Sequence, residues 1–97
     1  MPDPTSPDDS SDSSSHPSPL AHLGTAVRRE RERKGLTQEE LAEEAGLHRN
    51  YIGFIERGEV NLGFRNLLKI ADGLGVSFSD LAQRYEAELR LSDEFGE

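Results

Sequence analysis

The sequence predicts a small all-α domain of five helices, and three observations support that prediction. Apolar residues recur at helical spacing from residue 20 onward, whereas signals for β-strands are nearly absent. Glycine follows four of the predicted helices, as expected where a helix C-terminus needs a left-handed residue. Two helices begin at a pattern typical of a capping box, in which the first residue and an acidic residue three positions later bond free amides.

The first two predicted helices cover residues 20–34 and 37–46. An apolar stripe runs along the first helix, and a glycine ends it. The second begins at Thr37, which can form a capping box with Glu40, and it ends at Gly46, where the chain must turn.

The other three helices are predicted over residues 48–57, 63–74 and 77–89. The first two of these are again followed by glycine. The last begins at Ser77, which resembles the first residue of a second capping box with Asp80.

The ends of the chain differ in composition from its middle. Residues 1–19 contain all five prolines, four aspartates and one large apolar residue, Met1. Such a segment cannot bury enough apolar surface to offset the entropy of ordering it, so we expect a disordered acidic tail. Its role is open between a solubilising segment and a regulatory one. We place the domain at residues 20–91 and an acidic tail at residues 92–97.

The net charge of −8 is unevenly distributed along the chain. Residues 1–19 carry −4, residues 20–80 carry −1 from nine basic and ten acidic groups, and residues 81–97 carry −3. The nearly neutral middle can therefore present a basic face beside an acidic one, so the overall charge does not exclude nucleic acid as a partner.

Several classes of function are disfavoured by what the sequence lacks. It has no cysteine, no apolar run long enough to span a bilayer and no visible signal peptide, so we expect a cytoplasmic protein. His16, His22 and His48 share no metal-ligand spacing, and no phosphate loop, catalytic triad or cofactor motif is evident. We expect no enzyme, and no metal, cofactor or small-molecule ligand.

The segment from Thr37 to Gly58 has the pattern of a helix-turn-helix. Gly46 occupies the bend, and small or apolar residues fall where two short helices must pack. These residues are Leu41, Ala42, Ala45, Leu47, Ile52 and Ile55. The second helix of such a motif lies in the DNA major groove, which predicts a DNA-binding protein. A helical hairpin of another purpose is the alternative.

This segment resembles the Cro/C1-type (XRE) family of DNA-binding regulators. The resemblance covers about residues 20–82, and it implies a five-helix, lambda-repressor-like domain in a regulator that is usually dimeric. The run from His48 to Gly53, with Asn61, is also similar to the small controller proteins of restriction–modification systems. The family motifs are Gly35-Leu36-Thr37-Gln38, Glu40-Leu41-Ala42, Ala45-Gly46 and Ile55-Glu56-Arg57-Gly58-Glu59.

The resemblance implies which side chains would contact the DNA bases. At the start of the third helix, Arg49 would bond guanine, Asn50 would contact adenine, and Tyr51 would meet a thymine methyl or a phosphate. Phe54 would make a second apolar contact, with partial burial in the core as the alternative. For Arg49 and Asn50 the alternative is a solvated helix face.

A second set of residues is implied to contact phosphates. Gln38 would do so from the N-terminus of the second helix, helped by the free amides there. Arg28 and Arg31 are weaker candidates that could equally solvate the first helix. Glu56 is expected to be structural, because an anion there would repel phosphate. The remaining phosphate candidates surround the third helix and are His48, Arg57, Asn61 and Arg65.

Three residues, His48, Gly63 and Glu30, depart from the family pattern. Gly63 stands where Ser or Thr often opens the fourth helix, although glycine is still an acceptable N-cap. His48 stands where Ser, Thr or Asp commonly caps the third helix, so we expect a cap weaker by about 1 kcal/mol. Glu30 stands where an apolar residue is common, and we expect it to reach outward to Arg33 or Lys34. Gly53 lies inside a helix, where it could permit close approach of the backbone to DNA or to the second helix.

The fifth helix supplies a candidate homodimer interface. Two copies related by a two-fold axis would match a palindromic DNA site. Phe78, Leu81, Tyr85 and Leu89 fall on one face of the helix. For Phe78 and Leu81 we favour the alternative that they close the core of their own domain. Tyr85 and Leu89 extend past the expected core, and a partner surface is favoured there.

Acidic residues on the second helix suggest a further contact. In related phage repressors, acidic residues of this helix touch the sigma subunit of RNA polymerase, which suggests that role for Glu39 and Glu43. A solvated acidic face is the alternative. The expected function is therefore transcription regulation by a homodimer on double-stranded DNA, and the alternative function is that of an antitoxin or a protein-interaction module.

Overall fold

The computed structural model describes residues 18–95, and all regular secondary structure among them is helical. The predicted all-α class is confirmed, and each of the five helices begins within one residue of its predicted start. The first 17 residues of the tail predicted at residues 1–19 lie outside the described residues, as do residues 96 and 97. The helices are α1 (Pro19–Arg33), α2 (Gln38–Ala45), α3 (Arg49–Glu56), α4 (Phe64–Leu74) and α5 (Phe78–Phe95).

Side chains at the helix starts explain why the predicted boundaries hold. Thr37 Oγ1 accepts from the Glu40 amide at 3.0 Å, and Glu40 Oε1 accepts from the Thr37 amide at 2.9 Å, so the predicted capping box is confirmed. Ser77 Oγ accepts from the Asp80 amide at 2.9 Å at the start of α5. Gly46, at the bend between α2 and α3, has a φ of 72°, a value that residues with a Cβ rarely adopt.

All five helices contribute to one core. Its largest fully buried side chains are Val27, Leu41, Ile52, Ile70, Leu74 and Leu81. Helix α2 packs against α3 and α4, while α1 packs against α3 and α5. Five of the six apolar positions predicted for the helix-turn-helix are buried, and Leu47 is half-buried.

Close contact between α1 and α3 depends on Gly24. A Cβ at Gly24 would lie 2.4 Å from the Ile55 carbonyl oxygen and 2.6 Å from that of Glu56. Both atoms are backbone, so they cannot move aside as the end of a flexible side chain could. The absence of a side chain at Gly24 therefore sets how closely α3 approaches α1.

Glu30 does not reach outward as predicted. It is buried on the side of α1 that faces α5, and its Oε1 lies 3.3 Å from Nε of both Arg33 and Arg84. Neither contact has the geometry of a hydrogen bond. The predicted pair with Arg33 is present, but the outward direction was wrong, because the contact between α1 and α5 encloses this position. The carboxylate therefore links two helices instead of pairing only along α1.

Helix α5 continues beyond its predicted end. It runs to Phe95, so the predicted boundary between the domain and an acidic tail at residue 92 falls inside the helix. In residues 18–95, no helix combines the length and apolar character needed to cross a membrane.

Candidate nucleic-acid interface

Helix α3 has one face in the core and one face in solvent. Ile52 and Ile55 are buried, whereas Arg49, Asn50 and Phe54 are exposed. The 3.6-residue period places positions 50 and 54 on the side opposite Ile52 and Ile55. Arg49 is exposed because it is the first residue of α3, beside the end of the helix. Phe54 is exposed, so the structure does not support the alternative that it is partly buried in the core.

A shallow cleft of about 160 Å³ joins this exposed face to the start of α2. Arg57 lies over the Phe54 ring, with its guanidinium carbon 5.2 Å from the ring centroid. The cleft thus gathers three of the predicted base contacts and two of the predicted phosphate contacts. Its lining residues are Gln38, Arg49, Asn50, Gly53, Phe54 and Arg57.

Tyr51 lies apart from this cleft. It is half-buried against the core, and its hydroxyl accepts a hydrogen bond from Asn66 Nδ2 of α4 at 3.1 Å. The structure therefore brings Arg49 and Asn50 together with Phe54, but places Tyr51 between α3 and α4.

Glu56 is structural, as predicted, and it holds α3 to two other helices. Arg31 of α1 donates from Nε to Glu56 Oε2 at 2.7 Å and from Nη2 to Oε1 at 3.2 Å. Gln38 of α2 also donates from Nε2 to Glu56 Oε1, at 3.0 Å. The carboxylate at the last residue of α3 is thus fixed by donors from α1 and α2.

The weaker prediction that Arg31 contacts phosphate is wrong. Its side chain is only 12% exposed, and its remaining nitrogen, Nη1, donates to the Leu36 carbonyl oxygen at 2.7 Å. The hydrogen bond to Glu56 raises the pKa of Arg31 above its ordinary value; burial opposes this rise, and the charges of Glu56 and Glu32 add to it. Arg31 is therefore a permanently charged structural partner inside the domain.

His48 forms the N-terminal cap of α3. Its Nδ1 accepts a hydrogen bond from the Asn50 amide at 3.0 Å, the bond that a Ser or Asp oxygen would accept at this position. The structure thus supplies the cap bond that the sequence pattern appeared to lack. His48 is exposed, so the other edge of its ring faces solvent beside Arg49.

Two arginines of the interface have acidic partners. Nε of Arg49 lies 3.6 Å from Oε2 of Glu39, at the first turn of α2. Nε of Arg57 donates to Glu59 Oε1 at 3.1 Å. Neither Glu39 nor Glu59 was predicted to have such a role. The pair of Arg49 with Glu39 depends on how α2 packs against α3, and the pair of Arg57 with Glu59 forms within the turn after α3.

The other phosphate candidates lie outside the cleft. Asn61 is exposed in the segment between α3 and α4, and Arg28 is exposed on α1. Arg65 is exposed in the first turn of α4, where it lines a separate groove with Leu68, Lys69 and Phe78.

The four predicted interface residues of α5 are not equivalent. Leu81 is fully buried, which confirms the alternative that it closes the core of its own domain. It therefore cannot form part of a partner surface. Phe78 is 42% exposed, contrary to that alternative, and its ring meets Phe64 edge-on at 5.5 Å between centroids. Tyr85 and Leu89 are half-buried, because the second half of α5 lies along α1.

Comparisons with known proteins agree with this architecture. Control protein C.SmaI of Serratia marcescens is 44% identical over 62 residues, which are 64% of this chain and 74% of that protein. Control protein C.BamHI of Bacillus amyloliquefaciens is 46% identical over 60 residues, covering 61% of this chain and 74% of that protein. The crystal structure of the restriction-modification controller protein C.AhdI from Aeromonas hydrophila matches with a TM-score of 0.62 at 42% identity, covering 64% of this chain and 94% of that one.

The family model described as helix-turn-helix matches residues 27–81, which is more than half of the chain. This match includes α2, α3 and the residues that fix them to α1 and α4. The resemblance to Cro/C1-type regulators and controller proteins predicted from the sequence is confirmed, and the chain belongs to the helix-turn-helix family.

Proposed function

We propose that this chain is a cytoplasmic, sequence-specific transcription regulator that binds double-stranded DNA by placing α3 in the major groove. The observation that carries this proposal is the solvent-facing set of Arg49, Asn50 and Phe54 on a helix whose other face is buried. A major groove admits one α-helix, and residues at the helix N-terminus reach the base edges. The relatives named control or controller proteins support a regulatory role rather than a catalytic one.

The contacts divide into those that select a sequence and those that position the protein. Arg49 would donate two hydrogen bonds to guanine, Asn50 would bond adenine, and Phe54 would cover a thymine methyl. Tyr51 would support α3 against α4, because its hydroxyl is engaged by Asn66. The phosphate contacts would come from Gln38, His48, Arg57, Asn61 and Arg65, which carry no sequence information themselves.

We further propose that two copies bind a palindromic site as a homodimer. Phe64, Leu68 and Phe78 form the apolar patch, a cluster at the junction of α4 and α5 in which Phe64 is 63% exposed. An exposed apolar cluster is typical of a protein–protein contact. Tyr85 adjoins the patch, because it lines an apolar groove with Phe78, and Leu89 lies one turn further along α5. The interface would therefore centre on the apolar patch and extend to these two residues.

A contact with the RNA polymerase sigma subunit is proposed for Glu39 and Glu43. Both are exposed on α2, which supports their availability to a second protein. Glu43 is the stronger candidate, because Glu39 already lies beside Arg49. Substituting Glu43 by Ala should lower promoter activation without changing DNA affinity; unchanged activation would exclude the contact.

Selection of binding sites from random duplexes tests the proposed function. The purified chain should enrich a palindrome whose half-sites are centred about 34 Å apart, one turn of the double helix. Affinity should fall as salt rises, since phosphate contacts release counterions. The absence of enrichment, together with no affinity for any duplex at low salt, would overturn the proposal.

A further inference from the structure

Glu39 and Arg49 join the first turns of α2 and α3 across the cleft. Oε2 of Glu39 lies 3.6 Å from Nε of Arg49, and the two side chains are 72% and 59% exposed. Each comes from a helix start that is fixed by a cap, Thr37 for α2 and His48 for α3. The backbone on both sides of the pair is therefore held in place, although the side chains themselves lie in solvent.

We propose that Glu39 is a positioning residue that orients Arg49 toward guanine and thereby sets the base preference of the interface, an inference that rests on the proposed function. The carboxylate lies at the Nε edge of the guanidinium. The two terminal nitrogens, Nη1 and Nη2, remain available on the opposite side. Those are the two donors that can bond O6 and N7 of one guanine together.

The neighbouring polar residue of α2 has a different partner. Gln38 donates its amide to Glu56 at 3.0 Å, and Glu56 is held in turn by Arg31. Glu39 is therefore the residue of the first turn of α2 that is paired with Arg49. A carboxylate is also favoured in this turn, because the positive end of the helix dipole stabilises it.

The same pair should restrain binding to unrelated sequences. Non-specific affinity depends on attraction between cations and phosphates. A carboxylate next to Arg49 reduces that attraction, whereas it leaves the guanine-facing donors free. An exposed pair is weak, so removing the charge should change the preference by only about two- to fivefold.

The test measures dissociation constants of the full chain for three duplexes by fluorescence anisotropy. These are the selected site, the same site with the guanine proposed to meet Arg49 replaced, and a random sequence. Glu39→Gln should lower the ratio between the first two affinities by about two- to fivefold. Glu44→Gln is the matched control, because it makes the same charge change further along α2 at another exposed residue.

The control should leave that ratio unchanged, whereas Glu39→Gln should also bind the random duplex more tightly than the unsubstituted chain. In an Arg49→Ala background, Glu39→Gln should have no further effect on the ratio. Equal ratios for Glu39→Gln and Glu44→Gln would overturn the positioning role. If Arg49→Ala itself leaves the ratio unchanged, the base contact assigned to Arg49 fails instead, so the two failures are distinguishable.

Discussion

Arg31 and Glu56 form a two-point ion pair between the last turn of α1 and the last residue of α3, with nitrogen–oxygen distances of 2.7 and 3.2 Å. Helix α3 has only eight residues, too few to be stable as a helix alone. Its orientation must therefore come from contacts with the rest of the domain. The pair fixes one end of α3, while the His48 cap fixes the other.

Substitution of Glu56 by Gln should destabilise the domain strongly. The carboxylate is 4% exposed, and its loss leaves the buried Arg31 guanidinium with only the exposed Glu32 carboxylate, 3.9 Å away, as a counter-charge. We expect the free energy of unfolding in urea to fall by about 3 kcal/mol. Glu59→Gln is the control, because it breaks an exposed pair with Arg57 and should cost less than about 1 kcal/mol. Equal losses in the two variants would contradict this account of the buried pair.

Two buried glycines should respond differently to the same substitution. Gly24→Ala would place a Cβ against the backbone of α3, so we expect a loss of about 3 kcal/mol, or failure to fold. In Gly53→Ala the nearest atom is Arg57 Nη1 at 3.1 Å, the end of a flexible side chain. The free energy of unfolding of this variant should equal that of the original chain or exceed it by up to about 1 kcal/mol, because alanine has the higher helix propensity. Thermal unfolding followed by circular dichroism measures both; similar melting temperatures would exclude the proposed close contact.

The cap at His48 should matter for stability. His48→Ala removes the acceptor for the Asn50 amide and should cost about 1 kcal/mol in chemical denaturation. His48→Ser offers a hydroxyl oxygen in its place and should restore the loss. If the alanine variant is as stable as the original chain, the imidazole does not serve as a cap in solution.

The apolar patch should control the oligomeric state. Leu68→Asp places a charge in the patch, so we expect a folded monomer in sedimentation-velocity experiments. Leu91→Asp is the matched control, because Leu91 is 39% exposed and Leu68 is 42% exposed, but Leu91 lies outside the patch. The control should sediment like the original chain. If Leu68→Asp remains a dimer and Leu91→Asp becomes a monomer, the interface lies toward the end of α5 and not at the apolar patch.

The starts of the five helices and the end of α2 could be predicted because local signals determine them, whereas the end of α5 carries no such signal. Thr37 with Glu40 forms a capping box that depends on residues three positions apart, and Gly46 ends α2 through its own backbone conformation. The exposed face of α3 followed in the same way from helical period. These features need no knowledge of how the helices pack.

The features that sequence could not supply all depend on contacts between helices. Arg31 resembles any solvated arginine of α1 until Glu56 is placed against it. Glu30 is enclosed by α5, and Tyr51 bonds a residue of α4. Gly24 carried one usable signal, since glycine within a helix costs about 1 kcal/mol relative to alanine and usually has a structural reason. Its partner on α3 became visible only in the folded domain.

The most direct test of DNA recognition by α3 is the base preference of Arg49→Ala. Affinities of this variant and of Arg65→Ala should be measured for the selected site and for every single base-pair change within one half-site. Arg49→Ala should lose about 1–3 kcal/mol on the selected site and lose its preference at one base pair. Arg65→Ala should weaken all sequences alike. Uniform weakening by Arg49→Ala, with every preference retained, would contradict the central claim that α3 selects the sequence.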